Sequence, residues 1–134
     1  MAGKGTPAIV AAERAGVAFT VHEYAHDPKA ASYGLEAAEK LDLDPAHVFK
    51  TLVADVDGTL TVAIVPVSAQ LDLKALGKRV TMADAKLAER TTGYVTGGIS
   101  PLGQRKRLPT VLDESALAFA TIHVSAVRSC LRMP

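Results

Sequence analysis

The stretch FKTLVADVDGTLTVAIVPV, residues 49–67, decides the fold. Two apolar runs, 49–56 and 59–67, flank Asp57-Gly58, the dipeptide that best suits a tight two-residue hairpin. Both runs are rich in Val, Leu, Ile and Thr, which favours strands. Both are apolar on both faces, so the hairpin is expected at the centre of a sheet and not at its edge.

Working outward, VAFTVHEY (17–24) alternates, with Val17, Phe19 and Val21 on one side, and reads as a strand. Before it, Thr6-Pro7 supplies a hydroxyl cap and a proline at the first helical position, and Gly16 stops the helix. SYGLEAAEKL (32–41) carries Leu35, Ala38 and Leu41 at helical spacing, and Asp44-Pro45 starts a short helical turn. Beyond the hairpin, 71–78 and 82–90 are expected to be helical, and 109–112 and 119–124 to be two late strands. Helices lie between groups of strands without strict alternation. The expectation is a single α+β domain, residues 1–134, with a mixed sheet.

Composition narrows the function. The chain has 134 residues, 49% apolar, with a net charge of +1. That charge is too small to grip nucleic acid by bulk electrostatics, so any such contact needs a local patch. Aromatic residues are 4% and Trp is absent, which argues against a base-stacking platform. The lone Cys130 can form no internal disulfide, and no run reaches membrane-spanning length. The N-terminus does not read as a signal peptide, so a soluble cytoplasmic protein is expected.

Three features carry candidate chemistry. Lys50 sits in an apolar strand, where its amine either reaches water at the strand mouth or meets a carbonyl, phosphate or carboxylate. TTGYVTGGISPLGQRKR (91–107) places Gly97-Gly98 where backbone can approach a ligand closely or simply turn. Arg105, Lys106 and Arg107 follow, as a solvated surface or as a phosphate-facing rim. His22 and His26 lack the spacing of metal ligands in a strand, and no triad nucleophile is evident. An enzyme built this way works by positioning and electrostatics.

Taken together, HEYAHDP (22–28), YGLEAAEKLDLDP (33–45), FKTL (49–52) and TGYVTGGISPLGQRKRLPTVLD (92–113) resemble the YbaK-type Cys-tRNA(Pro) deacylases. The resemblance spans roughly residues 6 to 125. It implies a mixed, barrel-like sheet flanked by helices and a pocket for the 3′ aminoacyl end of a tRNA. It implies removal of cysteine from Cys-tRNA(Pro), with no metal or cofactor, and with the thiol of the bound cysteine attacking its own ester. Lys50 would be the central functional residue. Tyr24, Tyr33, Thr51, Gly97, Gly98, Ile99, Ser100, Gly103 and Ser125 would bind substrate, and Arg105, Lys106 and Arg107 would touch RNA. Prolyl-tRNA synthetase is the implied partner. After Ser125 the resemblance fails. The family has a glycine pair and a basic residue, then an apolar strand and a C-terminal helix, where this chain has AVRSCLRMP, an ending that resembles a truncation or a frame change. Competing readings are a deacylase of Ala-tRNA(Pro) or another small aminoacyl-tRNA, and a module that binds aminoacyl or nucleotide ligands without turnover.

Overall fold

The computed structural model describes residues 7–16, 18–23, 33–94, 99–119, 121–125 and 129–133. Among these residues three helices, α1 (Pro7–Arg14), α2 (Tyr33–Lys40) and α3 (Ala85–Thr92), accompany seven strands. The strands are β1 (Thr20–Glu23), β2 (Val48–Val56), β3 (Thr59–Pro66), β4 (Val80–Met82), β5 (Thr110–Leu112), β6 (Ile122–Ser125) and β7 (Ser129–Met133). They form one mixed sheet in the order β1-β7-β6-β2-β3-β5, with β4 also paired to β2. The α+β class expected from the sequence is the class observed.

The hairpin forms as its dipeptide dictates. Asp57 and Gly58 both take positive φ, 50° and 91°, the signature of a turn whose twist matches the flanking strands. The Asp55 carboxylate accepts the Gly58 N–H at 2.8 Å and closes the turn. β2 and β3 then pair antiparallel from Phe49↔Pro66 to Val56↔Thr59. Both strands have further partners, β6 and β4 for β2 and β5 for β3, so the hairpin is central.

Alternation along β2 separates two cores. Phe49 and Val53 join α1 (Ala8, Ile9, Ala12), β3 (Val62, Ile64), Ala88 of α3, Tyr94, Ile99, Ala116 and Val124 in the main cluster. Val48 packs on the opposite face with Val67 and Ala38 of α2, flanked by Leu41 and Leu43. Helices therefore cover both faces of the sheet, α1 and α3 on one and α2 on the other.

Three local expectations change. Residues 71–78 do not form a helix. They make a single 3-10 turn at Leu73–Ala75, capped by the Asp72 carboxylate, which accepts the Lys74 N–H. A pair of bonds then redirects the chain: Asp57 N–H donates to the Arg79 carbonyl, and the Asp57 carboxylate accepts the Arg79 N–H, both at 2.8 Å. This seats Val80–Met82 as β4 beside β2, so α3 begins at Ala85 behind its Asp84 cap and not at residue 82. Finally, Ser129–Met133 forms a strand that the sequence reading did not foresee. It lies between β6 and β1 and joins β1 to the sheet.

Candidate functional site

Lys50 and Thr51 sit at a break in the pairing of β2. The Val67 N–H donates to the Val48 carbonyl at 2.8 Å, so Val48 turns its backbone groups toward β3. In an antiparallel ladder the direction alternates residue by residue. Phe49, Thr51 and Val53 therefore turn theirs to the other edge, and Val53 does so observably, accepting the Ala83 N–H at 3.0 Å. On that edge β6 pairs with Val48 and Phe49, and β4 with Ala54, Asp55 and Val56. Among the described residues no strand pairs with β2 between them. The Thr51 N–H and carbonyl thus point into a gap in the sheet, bounded by β6 on one side and β4 on the other.

The side chains beside the gap differ in burial. Thr51 is buried, and among the described residues its Oγ1 has no hydrogen-bond partner. A buried hydroxyl without a partner is uncommon, because desolvating it is unfavourable unless another group compensates. Lys50 is half-buried and lies on the opposite face of β2, the side covered by α2. Thr51 faces the side of Ile99. A group entering the gap can meet both faces, whereas a group lying on either face meets one.

Neighbouring elements bring other sequence-predicted residues to the same edge. β6 runs parallel to β2 with Val48↔His123 and Phe49↔Val124, and Ser125 is the next residue along β6 as Lys50 is along β2. Tyr33 opens α2, on Lys50's side of the sheet. Tyr24, Gly97 and Gly98 lie outside the described residues. His123 and Glu36 are both buried, and the sequence reading missed them. His123 stands in register with Val48, and Glu36 lies 3.6 Å from Lys40 on α2. The available signal for Glu36 was its position next to the apolar stripe of α2. His123 offered the period-two alternation of β6.

The segment after α3 is held tightly. Ile99 is buried in the main core. Ser100 is fully buried, its hydroxyl accepting the Leu102 N–H at 3.2 Å and its carbonyl the Gln104 amide at 3.0 Å. Gly103 has φ +66° and packs on the N-terminal turn of α1, so tightly that a Cβ would meet the Pro7 backbone. The described geometry gives Ser100 and Gly103 the work of anchoring this segment. The basic run also has a structural place. Arg105 N–H donates to the Thr92 carbonyl and Lys106 N–H to the Thr91 carbonyl, at the C-terminus of α3 where positive charge is favoured. The side chains of Arg105, Lys106 and Arg107 stay exposed.

Among the described residues no three His, Cys, Asp or Glu side chains gather to hold a metal ion. No helix among them is long and apolar enough to cross a membrane.

The model of the aminoacyl-tRNA editing domain matches residues 27–129. The candidate Cys-tRNA(Pro)/Cys-tRNA(Cys) deacylase EbsC of Enterococcus faecalis is 43% identical over 95 residues. That alignment covers 66% of this chain and 58% of the relative, so the chain spans under two thirds of the length of the protein it matches. A solved structure of a candidate trans-editing enzyme for prolyl-tRNA synthetase superposes with a TM-score of 0.77 at 22% identity, covering 94% of this chain and 83% of that one. The hypothetical protein APE2540 superposes with a TM-score of 0.82 at 19% identity, covering 95% and 87%. These two structures share the fold.

Proposed function

Because the chain belongs to the aminoacyl-tRNA editing-domain family, we propose that it deacylates mischarged tRNA in trans, with Cys-tRNA(Pro) as its substrate. The observation that carries the proposal is the break in β2 pairing at Thr51. Among the described residues it leaves the Thr51 N–H and carbonyl without a strand partner and the Thr51 hydroxyl without a hydrogen bond, beside a half-buried lysine. Such a set suits the 3′ end of an aminoacyl-tRNA, which presents ribose hydroxyls, an ester and a phosphate within a few ångströms.

In this reading Lys50 holds the ribose or phosphate of the terminal adenosine, and Thr51 hydrogen-bonds to the group that enters the gap. Gly97 and Gly98 turn backbone N–H groups to the ester carbonyl, with Ile99, Ser100 and Gly103 behind them. Tyr24, Tyr33 and Ser125 complete the pocket. The cysteine thiol attacks its own carbonyl carbon. A C–S bond forms, the C–O bond to the ribose breaks, and the thiol proton ends on the released 3′ oxygen. The product is uncharged tRNA and a cyclic thioester that water opens. The protein's part is to fold the aminoacyl group into attack geometry and to stabilise charge on oxygen, which needs no protein nucleophile.

Arg105, Lys106 and Arg107 meet the phosphates of the acceptor stem. With a net charge of +1, general affinity for tRNA is weak, and a partner such as prolyl-tRNA synthetase supplies the choice of tRNA. The testing experiment compares deacylation of Cys-, Ala- and Pro-tRNA(Pro) by the purified protein. Rapid loss of cysteine alone is expected. Faster loss of alanine would exclude the thiol-assisted route, since alanine has no sulfur to attack with, and inactivity on all three would exclude deacylation.

A further inference from the structure

α3 carries an outward row of positive charge. The helix buries Ala88 and Thr92. At about 100° per residue, Lys86 and Arg90 fall on the opposite stripe, about 6 Å apart along the axis, and both are exposed. Gly93, the left-handed C-cap, lies on the same stripe one turn on. There Arg105 continues the row: a Cβ on Gly93 would stand 3.6 Å from both the Arg105 Cβ and its Nε. Arg105 and Lys106 are clamped at this helix end through their N–H bonds to the Thr92 and Thr91 carbonyls, at 2.9 and 3.1 Å. Lys106 and Arg107 are exposed beside it. Residues 84–94 and 99–108 hold these five bases against two acids, Asp84 and Glu89, a local +3 in a chain whose total is +1. Asp84 is engaged as the cap of α3, accepting the Leu87 N–H at 3.1 Å, and Glu89 is half-buried.

Helix electrostatics explain part of this row. Positive charge at the C-terminus of α3 is favoured by the helix dipole, which accounts for Arg90 and Arg105. Lys86 stands in the first turn, where the dipole opposes it, and four residues from Arg90, where like charges repel. A ligand with repeated negative charge offsets both repulsions. We propose that Lys86 and Arg90, continued by Arg105, form a docking face for the phosphate backbone of the tRNA acceptor duplex. The proposal rests on the reading above, that the substrate is an aminoacyl-tRNA, and adds Lys86 and Arg90 to the residues that meet it. The face lies close to the gap in β2. The Ala83 N–H donates to the Val53 carbonyl at 3.0 Å, so α3 starts just beyond the point where the chain is tied to β2, and Val53 is two residues from Thr51. α3 covers the main-core face of the sheet, the face on which Phe49 and Val53 lie and which Thr51 shares. A duplex leading away from a 3′ end held in the gap passes along this row. Residues 85–93 and 105–107 contain no aromatic side chain, so the row reads phosphate charge and not base identity.

The double variant Lys86→Gln, Arg90→Gln tests this on two substrates. One is a cysteinylated minihelix of the acceptor duplex with its 3′ end; the other is the cysteinylated single-stranded 3′ end alone. Binding of the uncharged minihelix is titrated separately at several salt concentrations. On the minihelix, KM is expected to rise about tenfold with kcat changed less than about twofold, and the slope of log affinity against log salt to fall by about 2. On the single-stranded end KM keeps its wild-type value. Lys74→Gln, Lys78→Gln removes the same charge from exposed positions between β3 and β4, and keeps the minihelix KM within about twofold. An α3 variant that loses stability but keeps its minihelix KM and salt slope would mean that these bases serve the helix alone, and overturns the proposal. An equal loss on the single-stranded end, or in the Lys74, Lys78 control, overturns it too. Each of these results leaves the functional reading standing. A wild-type protein that deacylates neither substrate overturns that reading, and the titration still decides whether the face holds duplex RNA.

Discussion

Gly103→Ala is the most exacting test of the way α1 is fastened to the segment after α3. Gly103 has φ +66°, a left-handed conformation that costs an L-residue roughly 1–2 kcal/mol. A Cβ there would stand 2.5 Å from the Pro7 carbonyl carbon and 3.0 Å from the Ala8 nitrogen, with the Pro7 oxygen nearer still. These are backbone atoms, so no side chain can swing away and α1 itself must shift. Forced overpacking of this kind costs about 1–3 kcal/mol. The sum is about 2–5 kcal/mol, a drop in melting temperature on the order of 10 °C for a chain of this size. Gly58→Ala supplies the reference, because Gly58 has φ +91° and nothing within 4 Å of the added atom. Chemical unfolding of both variants separates conformational strain from collision. If Gly103→Ala is no more destabilising than Gly58→Ala, the close approach to α1 is not real and the argument for this anchor fails.

Other expectations follow from single observations. Thr51→Val replaces a hydroxyl that has no hydrogen-bond partner among the described residues with a methyl of the same shape, so stability should stay level or rise while the KM for aminoacyl-tRNA increases; equal KM would remove Thr51 from the site. Asp84→Ala removes the carboxylate that accepts the Leu87 N–H at 3.1 Å and should lower the unfolding free energy by about 1 kcal/mol, read by urea denaturation. Burial raises the Tyr94 pKa above its ordinary 10.0, against smaller opposing effects of hydrogen bonds to Ser100 and the Ala8 backbone. Its contribution is therefore complete below pH 10 and lost as pH rises through the folded-state value. Tyr94→Phe should flatten the alkaline limb of a stability–pH curve, and an unchanged limb would contradict that assignment.

The central hairpin was legible in the sequence because its information is local. Asp57-Gly58 admits two successive positive φ values, and the flanking runs alternate into two separate cores. The stretch 71–78 misled because its apolar spacing is helical, while the deciding forces come from Asp57, twenty-two residues before Arg79. β7 was hidden for a related reason. SCLRM has a polar or charged residue at two of five positions, and it becomes a strand by filling the space between β1 and β6. At the site, Lys50 was visible as a charge in an apolar strand. The gap beside it was not, since it arises where β6 stops pairing with β2 and β4 has yet to begin, a fact written across three distant segments. Ser100 and Gly103 were visible as pocket candidates. Their engagement with Leu102, Gln104 and α1 depends on contacts that no short window of sequence contains.

The rate at which Lys50→Ala removes cysteine from Cys-tRNA(Pro), measured in a single turnover at saturating protein, tests the account most directly. Lys50 is half-buried at an interruption of strand pairing, so its loss should leave the fold intact and reduce the rate by about a hundredfold or more. A folded Lys50→Ala protein that works at the wild-type rate would contradict the account.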